Sequence, residues 1–427
     1  MKSPVIDDKY WQSHDSGTSF WGRFHIHPDI QEIRTMLKEI LFMLKKCSTL
    51  CLILLLLLTG LPSLQPGSLA SASAAPKNAV FVDKSSQSFI PLRFLNGLFG
   101  ITSVLNPATK EIEISGGNSS ILLTMGQASA TVNGKAVTLT ALPFSGNGTT
   151  YVPLSAVSTA MGIGLKWNKE TASVTLSAAG EEAVLPVVSG ALVKQDAPAA
   201  VSGKHTYKVG SRSFSVQTVT VSLMHPSVRL DAVLAGNTVG KTEALGSIAK
   251  RSGAVAAING TFFDAYTSGA YKAPYGYIVS GGKMLKNSPG DKRAVFAYDR
   301  NLLAELIPGS EFSARYQSGS IEGAIQAGPR LLVNGAVSLN VAAEGFKDPK
   351  ILTGGGARSA LGITRDHKLI LLTTGGATIP QLAQIMKQAG AYQAMNLDGG
   401  ASSGLYFNGK YLTSPGRLIS NALVVTK

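Results

Sequence analysis

Met395-Asn396-Leu397-Asp398-Gly399-Gly400-Ala401-Ser402-Ser403-Gly404 is the stretch that most limits how this chain can fold. The run Tyr392 to Leu397 reads as a buried strand, and it follows a helix-like segment, Pro380 to Gln388. The strand stops on a carboxylate, then two glycines, then two hydroxyls. Gly399 and Gly400 permit positive φ and let backbone approach a ligand closely. An Asp at such a strand end is held by the scaffold yet faces outward, as binding and catalytic carboxylates do. The competing reading is a tight turn whose Asp caps its own backbone. The same construction occurs earlier: helix-like Thr242 to Arg251, strand Ala254 to Ile258, then Asn259-Gly260-Thr261-Phe262-Phe263-Asp264.

The chain has 427 residues, enough for two or three domains. It is Gly-rich, aromatic-poor and modestly charged, a turn-rich globular composition and not a disordered one. Its net charge is +14, and residues 1–74, with 7 Lys/Arg and 6 Asp/Glu, hold almost none of it. No block of five basic residues occurs and no basic stripe interleaves with aromatics, so nucleic acid is not the expected partner. A diffuse positive surface suits polyanions such as a phosphate-bearing cell wall.

Lys45-Lys46, the apolar run Leu50 to Leu58, and Ala72-Ser73-Ala74 have the order of a secretory signal peptide with cleavage near Ala75. Nine apolar residues are too few to span a bilayer, although an uncleaved anchored form is the alternative. Met43, or Met36, is the expected initiator, with residues 1–42 a gene-model extension, so residues 1–76 are leader. Both cysteines, Cys47 and Cys51, fall there, which excludes a disulfide or thiolate metal site downstream.

Residues 77–180 contain a repeat. Ile90-Pro91-Leu92-Arg93-Phe94 recurs 62 residues later as Val152-Pro153-Leu154-Ser155-Ala156, and Asn106 and Thr109 recur as Asn168 and Thr171. Each copy reads as a short helix, a Gly stop and two strands around an Asn-x-x-Thr turn, and Asn133-Gly134 signals a hairpin between them. This pattern resembles the copper amine oxidase N-terminal-like stalk domain. No His, Cys or Met cluster in the segment's sequence could hold copper, so a spacer or wall-association module is expected. Residues 181–203, rich in Ala, Val, Pro, Ser and Gly, read as a linker, and residues 204–427 as one further domain.

Several polar residues in that domain carry candidate chemistry. Asn259 can donate to and accept from a sugar hydroxyl or phosphate, and Gln326 precedes the Gly328-Pro329 turn as a third polar strand end. Arg358, between Gly354-Gly355-Gly356 and an apolar strand, has the planar fork that matches phosphate. Gly400-Ala401-Ser402-Ser403-Gly404 fits the nucleophile-elbow pattern, but no Asp, Glu or His follows Ser402, which argues against a serine hydrolase. His205, His225 and His367 form no ligand-spaced pair for zinc.

In this order, N-G-T-F-F, Q-A-G-P-R-L-L, A-R-S-A-L-G and L-D-G-G-A-S-S resemble the phosphodiester glycosidase family, that of the N-acetylglucosamine-1-phosphodiester α-N-acetylglucosaminidases. The resemblance spans residues 205–427, with Thr261 where family members often carry Gly. It implies cleavage of a sugar-1-phosphodiester at the anomeric carbon. Phosphate is a good leaving group, so the needs are a phosphate clamp, oxocarbenium stabilisation and an activated water or nucleophile. Arg358 is then assigned to phosphate. Asp398 and Asp264 are the candidate carboxylates, with Glu322 in reserve. Asn259, Gly260, Thr261, Gln326, Gly328, Gly399, Gly400 and Ser402 are assigned to substrate binding. No cofactor is required, and Ca²⁺ held by Asp398 and nearby carbonyls stays open. The expected fold is α+β, a catalytic domain around a mixed, twisted sheet preceded by the small α+β stalk. The expected function is a secreted or wall-associated hydrolase of a phosphate-bearing glycan; the alternative is a non-catalytic wall- or exopolysaccharide-binding protein using the same cleft.

Overall fold

The computed structural model describes residues 34–35, 38–39, 41–43 and 77–427. The chain divides into two units, Met1–Ala72 and Ser73–Lys427. In the first, the described residues are helical and exposed, and most of the leader segment, with Cys47 and Cys51, lies outside the described residues. Among the described residues no helix is long and apolar enough to cross a membrane.

The second unit is α+β, with strands predominating. Its N-terminal part shows the repeat directly. Strand Ser88–Pro91 and helix Leu92–Leu95 in one copy answer to Thr149–Pro153 and Leu154–Met161 in the other. The side-chain oxygen of Asn106 accepts from the backbone N–H groups of Ala108 and Thr109, and Asn168 does the same for Glu170 and Thr171. An Asn that mimics the backbone in this way fixes a tight turn, so the repeated Asn places both hairpins. Asn133 and Gly134, at φ 49° and 78°, turn the hairpin between Ser129–Val132 and Lys135–Thr138.

The linker expected at residues 181–203 is largely strand. Glu181–Ser189 pairs antiparallel with Ser173–Ala178 and, farther along, parallel with Val80–Val82. Pro186, whose missing N–H suggests a breaker, sits where one ladder ends and the other begins. Ala200–Val209 is already the edge strand of the next domain. The two domains pack together. The ring of His367 lies 3.0 Å and 3.2 Å from the carbonyls of Ala172 and Val187, and Ala79 joins the core of the C-terminal domain.

The C-terminal domain contains three sheets, each crossed by one helix. In each, a strand leads into a helix that returns to a strand running in the same direction. Arg229–Leu234 passes through Leu245–Arg251 to Ala256–Asn259. Ala304–Ile307 passes through Gly309–Gln317 to Gly323–Gln326. Lys368–Ala377 passes through Ile379–Gln388 to Gln393–Asn396. The sequence shows these as β-α-β units, which ordinarily give parallel neighbours. Here a third strand (Asn421–Thr426, Val295–Tyr298 or Gly356–Ile363) lies between each pair and takes the hydrogen bonds of both. All pairings in these three sheets are therefore antiparallel, and the mixed sheet expected here belongs instead to the N-terminal domain.

Each helix covers the outer face of its own sheet. The best defined is Ile379–Gln388, opened by a reciprocal cap between Thr378 and Gln381, a feature worth about 1 kcal/mol. It buries Leu382, Ala383, Ile385 and Met386 on Leu331, Ala360, Leu372 and Ala394. The inner faces converge on one core, where Ile258 and Leu423, Phe296 and Ile325, and Leu361, Leu371 and Met395 meet. The geometry leaves three strands, each fixed by a helix, ending at Asn259, Gln326 and Asn396.

Candidate active site

All three strand-end amides are buried, and a buried amide must find partners within the protein. The Oδ1 of Asn259 accepts from the Ser359 hydroxyl at 2.7 Å and from the Gly404 N–H at 3.0 Å, and its Nδ2 donates to the Asp398 carbonyl at 2.7 Å. Gln326 accepts from the Tyr277 N–H and donates to the carbonyls of Asp291 and Arg293. Asn396 donates to the carbonyl of Gly328, whose N–H returns to the Asn396 carbonyl. Thr261 is bound by its N–H and hydroxyl to the side chain of Asn421. At Gly260 an added Cβ would stand 2.0 Å from that same amide, so glycine is there for close packing.

These contacts make the N-G-T and L-D-G-G stretches one structure. The N–H of Asp398 donates to the Gly260 carbonyl at 3.1 Å while its own carbonyl accepts from Asn259. Both peptide groups of Asp398 are thereby fixed, and its side chain emerges into a cleft of about 960 Å³. The Gly399 N–H, at 2.9 Å, and the Ser402 hydroxyl donate to its carboxylate. Burial nevertheless outweighs them and the nearby charge of Arg417, and pushes the carboxyl up to about 6.

The cleft draws its walls from loops. Asp264, Arg358, Asp398, Gly399 and Gly400 line it. Asn259, Gly260, Thr261, Gln326, Gly328 and Ser402, assigned from sequence to the substrate, lie among the packed strand ends below and are engaged by protein groups. Asp264 accepts from the Thr267 N–H at 3.2 Å and keeps an edge to the cleft. Glu322 pairs instead with Arg300, outside it.

Arg358 is only 4% exposed, and burial holds its guanidinium below the usual range. Its Nε donates to the Ala377 carbonyl and its Nη2 to those of Lys350 and Gly354, so the fork braces the glycine loop. Arg417 is more open. It donates to the Tyr266 hydroxyl at 3.0 Å and lies 5.0 Å above the Tyr266 ring, while the Lys350 ammonium is 5.8 Å from the same ring. Tyr266 is 79% exposed, and these two cations hold its phenol below its ordinary range. Among the described residues neither Arg417 nor Lys350 has a salt-bridge partner. An arginine and a lysine beside a carboxylate can hold an oxyanion against an electrophilic carbon.

The sequence offers little to mark Tyr266, Lys350 and Arg417. Tyr266 and Arg417 sit in loops and Lys350 in the one-turn helix Pro349–Leu352, too short for periodicity, and only the position of Tyr266 two residues after Asp264 is suggestive. For a metal, Asp398 is the one carboxylate this turn supplies, and no group of three His, Cys, Asp or Glu side chains comes together among the described residues.

The phosphodiester glycosidase family model matches residues 252–426, and the copper amine oxidase N-terminal domain model matches residues 71–176. Among solved structures, the catalytic domain of zebrafish N-acetylglucosamine-1-phosphodiester α-N-acetylglucosaminidase, auto-inhibited by its pro-peptide, is similar at 22% identity. That match covers 54% of this chain and 85% of the other, with a TM-score of 0.45. A hypothetical protein from Synechocystis is similar at 15% identity over 83% of this chain and 100% of its own, with a TM-score of 0.48. No curated protein matches the chain.

Proposed function

We propose that the protein, whose residues 252–426 match the phosphodiester glycosidase family model, hydrolyses a sugar-1-phosphodiester, of the GlcNAc-α-1-phosphodiester type, at the anomeric carbon. The observation that carries this reading is the meeting, in one cleft, of the Asp398 carboxylate with the unpaired cations Arg417 and Lys350. The phosphate lies against Arg417 and Lys350, with the remaining Nη1 donors of Arg358 as further support. Asp398, ionised above pH about 6, takes a proton from water as the water oxygen bonds to the anomeric carbon. The bond from that carbon to the phosphate oxygen breaks, and the phosphomonoester leaves with the electron pair, stabilised by the cations. Asp264 orients the sugar from a second wall.

The leader segment and the N-terminal domain favour action outside the cell, on cell-wall or extracellular glycans, with the N-terminal domain in contact with the wall. Fractionation of expressing cells tests that part, and protein confined to the cytosol overturns it. The chemistry is tested by release of phosphomonoester from a synthetic GlcNAc-α-1-phosphodiester by the full chain and by its Asp398→Asn and Arg417→Ala variants. Turnover lost in both variants supports one working site. No turnover across a panel of sugar-1-phosphodiesters, with and without Ca²⁺, sinks the reading and leaves glycan binding as the function.

A further inference from the structure

The cleft carries more positive charge than one phosphodiester neutralises. Lys286, Lys347, Lys350, Arg358 and Arg417 all line it, and among the described residues none of them has a salt-bridge partner; Arg293 does, in Asp291. Against these five cations stand three carboxylates that form no salt bridge among the described residues, Asp264, Asp348 and Asp398, although Asp348 feels the charge of Arg358 and Asp398 that of Arg417. The balance is two positive charges, whereas a phosphodiester brings one negative charge. The cleft's volume of about 960 Å³ also stands at the upper end of pockets that enclose a whole drug-sized ligand.

The five cations fall into two groups. Arg417 and Lys350 act on Tyr266, Arg417 also acts on Asp398, and Arg358 is bonded to the Lys350 carbonyl, so these three belong with the reacting centre. Lys286 and Lys347 act on neither Tyr266 nor Asp398. Lys286 ends the Lys283–Lys286 strand, and its ammonium donates to the Asn287 carbonyl at 2.8 Å. Lys347 follows Phe346, whose ring meets Phe262 edge-on at 5.9 Å, and Arg293 lies 5.6 Å over Phe262. Aromatic rings provide the flat apolar surface that the apolar face of a sugar can cover, and the two lysines that line the same cleft provide point charges for phosphate.

We propose that Lys286 and Lys347, with the Phe262–Phe346 pair, form a second subsite that binds another phosphate-bearing sugar unit. The substrate class is then a chain of sugars joined through phosphate and not an isolated phosphodiester. This rests on the proposed function for what happens at Asp398, but its binding prediction does not.

The test is calorimetric titration of the full chain carrying Asp398→Asn, which prevents turnover. The ligands are a methyl phosphodiester of α-GlcNAc-1-phosphate, a linear tetramer of α-GlcNAc-1-phosphate units, and inorganic tetraphosphate. The tetramer is expected to bind more than about tenfold tighter than the single unit and to lose affinity more steeply between about 50 and 200 mM salt. Adding Lys286→Ala and Lys347→Ala is expected to collapse that ratio to about the number of repeats in the tetramer, where a general loss of fold would lower both affinities together. A ratio unchanged by the lysine replacements overturns the proposal, as does equal binding of tetramer and single unit. Tetraphosphate binding as tightly as the sugar tetramer overturns the assignment of a sugar subsite. A failure of hydrolysis in the parent chain, with the tetramer preference intact, would count against the proposed function alone.

Discussion

Asn259 and Arg417 both act on Asp398, from opposite sides of a physical divide. Asn259 belongs to a buried seam in which Asn259, Gln326, Asn396 and Asn421 give their amides to neighbouring backbone and side chains. Arg417 belongs to a rim, with Tyr266 and Lys350, where cations are fixed by an aromatic ring and otherwise left for the cleft. Polar groups in the seam are bonded to protein, the Oδ1 of Asn396 excepted, and so hold geometry; the cations on the rim have no salt-bridge partner among the described residues and so can receive a ligand. Arg358 stands between, its side chain buried like the seam yet lining the cleft like the rim.

Substitutions can break this comparison or sharpen it. The largest effect is expected at Asp398→Asn, with turnover lower by about a thousandfold. The same variant is expected to gain stability. The folded carboxyl titrates at about 6 against an ordinary 3.8, so the folded chain holds its proton more tightly than the unfolded one. The stability tied to that proton is present below pH about 4 and lost as pH rises through 6. Denaturation of parent and variant should therefore differ by on the order of 3 kcal/mol at pH 7 and converge near pH 4. Equal stability at pH 7 would show that Asp398 is better solvated than its surroundings indicate.

Next in size are two seam changes. Asn259→Ala leaves the Ser359 hydroxyl, the Gly404 N–H and the Asp398 carbonyl without their partner and should cost about 2–4 kcal/mol in urea titrations. Arg358→Ala strands three backbone carbonyls and should cost a similar amount. Arg417→Ala should do the reverse, lowering kcat/KM by about 10–100-fold with stability changed by less than about 0.5 kcal/mol. If Arg358→Ala proved fully stable but inactive, Arg358 would move to the rim and the division drawn here would fail. Smallest is Tyr266→Phe, which keeps the ring under Arg417 but removes the hydroxyl; kcat/KM should drop by roughly threefold to tenfold. In the parent, kcat/KM should rise with unit slope through pH about 6 as Asp398 ionises.

Much of this architecture could be read in the residues, and the misreadings share a cause. The helix-then-strand rhythm around Asn259 and Asp398 follows from periodicity and glycine stops, and the Asn106 and Asn168 turns follow from a repeated residue. A polar residue at a strand end, though, looks the same whether its partner is a ligand or the next loop. Asn259, Thr261 and Gln326 read as substrate-binding residues for that reason, and in the fold they are buried and bonded to protein groups. The sheets looked mixed because the strand that separates each β-α-β pair comes from outside the unit, Val295–Tyr298 and Gly356–Ile363 from just upstream and Asn421–Thr426 from far downstream. Residues 181–189 looked like a tether because three of the strand's nine residues find their partners a hundred residues upstream, at Val80–Val82. Lys350, in a one-turn helix, and Arg417, in a loop, left no pattern, since cations in such short segments are placed by the fold around them.

The parallel pairing of Val80–Val82 with Val187–Ser189 has a mechanical side. One strand enters the folded domain from the N-terminal side and the other leaves toward the C-terminal domain, so tension between the two ends pulls the strands past each other lengthwise. Their hydrogen bonds then bear the load together and yield in one step, where a hairpin pulled from its open end would unzip bond by bond. Single-molecule stretching should show one abrupt rupture for this junction, and a gradual low-force extension would disprove it. A chain built this way could keep its cleft in place on a surface under flow.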